Sequence, residues 1–93
     1  MSGNFKIFET NQFQEALRQD FGGRQVRIKR KLLEYVYPQL RGNPYFGKNI
    51  KKLINYQPET WRYRIGAYRF FYTINDQRKI VFMINADTRE SAY

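Results

Sequence analysis

The sequence predicts an α+β domain: two N-terminal helices packed on one face of a twisted, mainly antiparallel sheet of about four strands, in the order β-α-α-β-β-β. Three observations lead there. Two segments before residue 40 repeat apolar residues at helical spacing. Residues 60–84 instead alternate or run apolar in short stretches parted by turn residues. The chain has 93 residues, 42% of them hydrophobic and 18% aromatic, enough for one core and a single domain spanning 1–93.

Each element has a local cause. Lys6 to Glu9 is short and apolar-centred, a first strand. Asn11 with Gln14 forms a capping-box variant, and Phe13, Ala16, Leu17 and Phe21 follow at helical spacing. Gly22-Gly23 accepts the left-handed conformation that ends a helix. A second helix is expected from about Arg24 to Tyr37, burying Ile28, Leu32, Tyr35 and Val36 with Leu33 beside them; Pro38 should stop it. Residues 41–58 read as a connection rich in Gly, Asn and Pro. Thr60–Ile65, Tyr68–Ile74 and Ile80–Ile84 are the later strands, the last a continuous apolar run expected to be covered on both faces. Gly66-Ala67 has the glycine-first form of a type II′ hairpin turn.

The composition removes whole classes of chemistry. With no Cys and no His, disulfides, Cys/His metal sites and every imidazole-based mechanism are excluded, and neither metal nor cofactor is expected. No apolar run approaches a membrane span and no signal-peptide pattern opens the chain, so a cytoplasmic protein with no membrane partner is expected. The net charge is +9, from 17 Lys plus Arg against 8 Asp plus Glu. Such a body favours a polyanionic partner, nucleic acid first. Residues 1–23 sum to −1, whereas 24–41 carry +5, 42–58 +3 and 59–93 +2. The basic residues therefore belong to the folded middle and the strands.

Trp61-Arg62-Tyr63-Arg64-Ile65-Gly66-Ala67-Tyr68-Arg69 is the most informative stretch. Strand alternation turns Trp61, Tyr63 and Ile65 to one face and Arg62 and Arg64 to the other, the two arginines about 6.5–7 Å apart. A two-residue loop at 66–67 pairs Arg64 with Arg69. Like charges directly opposite destabilise a sheet unless an anion sits between them, and arginine forks suit phosphate. A solvated outer face, or pairing of one arginine with Glu34, Glu59 or Glu90, is the competing reading. Lys51 and Lys52, with Arg27, Arg30 and Lys31 on the second helix, form a broader basic footprint able to grip RNA backbone, or a plain solvated face.

Tyr37-Pro38 to Leu40, Asn43-Pro44, Gly47, Ile50-Lys51-Lys52-Leu53, Trp61 to Gly66, Tyr68-Arg69, Tyr72, Thr88-Arg89 and Tyr93, taken in order, resemble the RelE/ParE superfamily of bacterial and archaeal toxin–antitoxin toxins. The resemblance implies a microbial-ribonuclease, RelE-like fold and an mRNA interferase: metal-independent message cleavage, often on the ribosome, neutralised by a cognate antitoxin. By position it implies a catalytic set of Arg62, Arg64, Arg69, Arg89 and Tyr93. Many members carry His where Thr88 stands, so the proton carriers are open among Tyr93, Glu90, Asp87, Lys51 and Lys52. A ParE-like inhibitor of DNA gyrase, a non-catalytic RNA-binding module and a degenerate toxin kept as a scaffold are the alternatives.

Overall fold

Alternation along the long strands decides the layering. Tyr63, Phe70, Tyr72, Val81, Met83 and Ala86 are buried, and they meet Phe13, Leu17, Ile28, Leu32, Val36 and Leu40 from the helices in one core. The computed structural model describes residues 4–21 and 25–88. Its elements are β1 (Lys6–Glu9), α1 (Asn11–Phe21), α2 (Gln25–Lys31), a π-helical turn (Leu32–Val36), α3 (Tyr37–Gly42), β2 (Ile50–Lys52), β3 (Trp61–Ile65), β4 (Tyr68–Asn75) and β5 (Ile80–Thr88). The sheet order is β1-β5-β4-β3-β2; β1 runs parallel to β5 and the remaining pairs are antiparallel.

The sheet has five strands rather than four. The extra one, β2, is a three-residue edge strand inside the segment read as a connection. Its three residues carry no alternation of their own; pairing with β3 makes it a strand. Strands β3 and β4 tie down the loop before it and the end of α3. Tyr72 donates its hydroxyl to the Pro44 carbonyl at 2.7 Å, and Tyr63 donates to Gln39 Oε1 at 2.9 Å. A Cβ on Gly47 would lie 1.9 Å from Gln39 Nε2, so the loop closes over Gln39 because position 47 is glycine.

The helical layer departs from expectation in three places. Thr10, not Asn11, caps α1: its hydroxyl accepts from the Phe13 amide at 3.2 Å and donates to the Met83 carbonyl at 2.7 Å, tying the helix start to β5. Phe21's side chain and Gly22-Gly23 lie outside the described residues. The helix expected to stop before Pro38 continues to Gly42. A wide turn absorbs the proline: the Tyr37 amide donates to the Leu32 carbonyl five residues back, and Pro38, which has no N–H to give, begins a fresh α segment. The wider turn also rotates Tyr35 off the buried stripe, so Tyr35 and Leu33 are exposed, whereas Ile28, Leu32, Val36, Tyr37 and Leu40 are buried.

The β3–β4 hairpin has the expected register: Ile65 pairs with Tyr68, Arg64 with Arg69, Tyr63 with Phe70. Gly66 sits at φ 59°, the left-handed first position that a II′ turn requires. β5 runs on to Thr88. Its apolar run is not covered alike on both faces. Val81 and Met83 are sealed under the helices, while Ile80, Phe82 and Ile84 are only half-buried, with Phe8 edge-on to Phe82 at 5.7 Å. Among the described residues no helix lies on that outer face, and no helix is long and apolar enough to cross a membrane.

Candidate phosphate-binding face

β3 and β4 carry their arginines to the face away from the helices. Register sets them in rows. Lys51, Arg62, Phe71 and Asn85 stand side by side across β2, β3, β4 and β5; Arg64, Arg69 and Asp87 form the next row. Neighbours within a row are about 5 Å apart. Three guanidinium groups therefore meet on two adjacent strands.

Arg62 is the centre of this group. It is half-buried, and its Nε is enclosed without a hydrogen-bond partner among the described residues. Burial first, then the charges of Arg64 and Arg69, hold its pKa below the ordinary arginine value. The fold thus keeps a charge where desolvation and repulsion both oppose it, and an entering anion relieves both. Arg64 lies opposite Arg69 and has no carboxylate within ion-pair distance among the described residues. Its amide donates to the Asn49 carbonyl at 3.0 Å, which draws the Lys48–Asn49 turn up to the row. Lys48, Asn49, Arg62, Arg64 and Gly66 line a cleft of about 410 Å³.

Arg69 is held differently. Its Nε donates to Asp87 Oδ1 at 2.8 Å, with both side chains about a quarter to a third exposed. Among the described residues the carboxylate is the neighbour that β5 supplies rather than Glu34 or Glu59; Glu90 lies outside the described residues. Among the described residues the terminal amino groups of Arg69 donate to nothing, so their fork stays available.

Of the wider basic footprint, the structure brings Lys51 to the arginines and leaves the rest elsewhere. Lys51 pairs with Arg62, whereas Lys52 pairs with Trp61 on the opposite alternation, 2.8 Å from Glu59 and 5.9 Å from the Trp61 ring. Arg27, Arg30 and Lys31 belong to α2, in the layer on the other side of the sheet, with Ile28 of the same helix in the core. Arg89, Glu90 and Tyr93 lie outside the described residues. Lys48 and Asn49 are lining residues that sequence reading missed. The signal was the Gly-Lys-Asn turn, which gains meaning only once β2 is paired. Among the described residues no three carboxylates come together as metal ligands would.

No protein-family model matches the sequence, and no curated protein matches it. Solved structures do. The chain is similar to the toxin–antitoxin complex RelBE2 from Mycobacterium tuberculosis, at 23% identity and a TM-score of 0.72 over 92% of this chain and 99% of that one. It is also similar to the archaeal RelE–RelB complex from Pyrococcus horikoshii, at 19% identity and a TM-score of 0.65 over 92% and 96% of the two chains. The chain has the RelE-like toxin fold. A third likeness, to an E. coli RelE mutant in the free state, has 20% identity and a TM-score of 0.61 over 96% of this chain and 87% of that one. In this RelE-like fold the arginine rows occupy the sheet face left open by the helices.

Proposed function

We propose that the protein is the toxin of a toxin–antitoxin pair and acts as an mRNA endoribonuclease, metal-independent and working on the ribosome. The observation that carries this reading is Arg62: a half-buried guanidinium, its Nε unpartnered among the described residues, in the row next to the Arg64–Arg69 pair on an open sheet face. The RelE-like fold and the net charge of +9 support the same reading.

In the reaction, the 2′-oxygen forms a bond to phosphorus and the P–O5′ bond breaks, leaving a 2′,3′-cyclic phosphate and a free 5′-hydroxyl. The proton of the 2′-OH goes to a base, and one is delivered to the departing 5′-oxygen. Arg62, Arg64 and Arg69, joined by Arg89, stabilise the charge that builds on the phosphate oxygens, often the largest single contribution to such catalysis. Arginine stays protonated near neutral pH and is a poor proton carrier. Tyr93, at the terminal aromatic position of the resemblance, is proposed to orient the substrate and take part in proton transfer. The antitoxin is a small protein, acidic where it touches this chain and extended over its helices and sheet, since a basic surface of this size needs neutralising charge.

The test is to map message ends after incubation with purified protein, with and without ribosomes. New 5′-hydroxyl ends that need ribosomes and are slowed in Arg62→Ala and Tyr93→Phe proteins support the reading. Intact message with tight RNA binding assigns a non-catalytic binding module, and DNA breaks in induced cells with intact message assign a gyrase inhibitor.

A further inference from the structure

One irregularity in the sheet puts a carboxylate behind the arginine pair. The register shift between Phe71 and Tyr72 leaves Ile84 as an extra residue in β5. A bulge of this kind reverses the alternation beyond it. Without it, Arg69 would oppose Ala86, and Asp87 would oppose Tyr68 on the other alternation. With it, Ala86 is buried and Asp87 stands opposite Arg69 on the open face.

The contact has a direction. In the row Asp87–Arg69–Arg64, the carboxylate and Arg64 stand on opposite sides of Arg69. Asp87 Oδ1 accepts from Arg69 Nε at 2.8 Å. That bond uses the side edge of the guanidinium and leaves the end edge, with its terminal amino groups, to an incoming anion. Both side chains are only a quarter to a third exposed, so water and salt screen the pair less than they would on the open surface. Without such a hold, like charges in one row swing apart, and a phosphate would have to gather Arg69 from many rotamers.

We propose that Asp87 is a positioning residue for RNA cleavage. It fixes Arg69 from behind, so that the guanidinium is in place before negative charge builds on the phosphodiester. The inference rests on the ribonuclease reading above. It gives Asp87 two effects of opposite sign. Its charge weakens the attraction of RNA to this face. Its hold on Arg69 speeds the chemical step, because groups already fixed in place need no reorganisation as the reaction proceeds. A carboxylate that only held the sheet together would not drive binding and cleavage in opposite directions.

The test is single-turnover cleavage of ribosome-bound message, measured beside equilibrium binding of a non-cleavable RNA, with full-length wild type and variants. Asp87→Ala removes a negative charge from the face and should bind RNA several-fold more tightly. It should nevertheless cleave about 10–10²-fold more slowly. Asp87→Asn, whose amide oxygen can still accept from Arg69 Nε, should keep most of the rate. Asp87→Glu keeps the charge but displaces the carboxylate by one methylene; it should cleave more slowly than wild type with its affinity unchanged. In an Arg69→Ala background, Asp87→Ala should change the rate by less than about twofold, because the carboxylate acts through Arg69. An unchanged rate in Asp87→Ala, or the same loss with Arg69 already removed, would overturn the inference and leave the ribonuclease standing. Rate and affinity falling together in Asp87→Ala would also overturn it, and make Asp87 a structural residue only. A wild-type protein that leaves message whole with and without ribosomes would remove the ribonuclease reading, and this inference with it.

Discussion

Arg64 and Arg69 stand directly opposite one another across the β3–β4 hairpin, and among the described residues Asp87 neutralises Arg69 while Arg64 has no such partner. A directly opposed like-charge pair costs a sheet about 0.2–1 kcal/mol. Arg62, with its unpartnered Nε in the adjoining row, adds to that cost. Stability is conceded here to hold positive charge ready, and the trade can be measured from both sides.

Replacing Arg62 by Met keeps the apolar stem and removes the frustrated charge. Arg62→Met should raise the unfolding free energy by about 1 kcal/mol. It should also slow RNA cleavage by about 10²–10³, the usual loss for one stabilising group of this kind. Urea unfolding and single-turnover cleavage on the same protein check the pair; a variant that is less stable would contradict the account of Arg62.

The two adjacent lysines should behave differently although they are neighbours in sequence. Lys51 shares a row with Arg62, and Lys52 is tied to Glu59 on the other alternation. Lys51→Ala should weaken binding of a non-cleavable RNA several-fold, in keeping with the loss of one phosphate contact. Lys52→Ala should leave affinity within about twofold, because its charge is already paired on the surface. Titrations of both variants at one fixed salt concentration compare them directly.

Gly66 holds the hairpin register through its backbone conformation. At φ 59° a Cβ would meet no atom within 4 Å, so a side chain there costs conformational strain and causes no clash. Gly66→Ala should lower stability by about 1 kcal/mol. A Gly66→Asn protein should lose less, since asparagine tolerates that region better. Denaturant midpoints of the two variants decide the order.

Tyr45 donates to Asp76 Oδ1 at 2.8 Å and packs edge-on against Phe5 and Trp61. Burial, then the Asp76 hydrogen bond, pushes the Tyr45 pKa up from 10.0 to about 12. A group with a raised pKa contributes stability fully below its unfolded value and loses it as pH climbs through the folded one. The Tyr45 contribution should therefore fade between about pH 10 and 12. The hydrogen bonds from Tyr45 and Lys79 hold Asp76 below its ordinary 3.8, so its contribution is present above that value and fades as pH drops beneath it. In thermal unfolding, Tyr45→Phe should flatten both flanks relative to wild type.

Much of the site was legible because strand alternation and a two-residue turn are short-range rules. Arg62, Arg64 and Arg69 occupy the face and register that those rules dictate. What escaped depended on distant partners. β2 exists through its ladder to β3, and Asp87 reaches Arg69 because a bulge at Ile84 turns β5 over. The helix passing Pro38 needed a π-helical turn, whose hydrogen bond leaves no mark in the spacing of apolar residues. Thr10 outcompeted Asn11 as the cap because its hydroxyl also finds a carbonyl on β5, a contact made only after the sheet and α1 come together.

The measurement that bears most directly on the arginine rows is the salt dependence of RNA affinity for wild type and for Arg62→Ala, Arg64→Ala and Arg69→Ala. Each guanidinium that grips a phosphate releases counterions, so each substitution should reduce the slope of log affinity against log salt by about 0.7–1. Slopes unchanged in all three variants, with folding intact, would mean that RNA is bound elsewhere on the molecule.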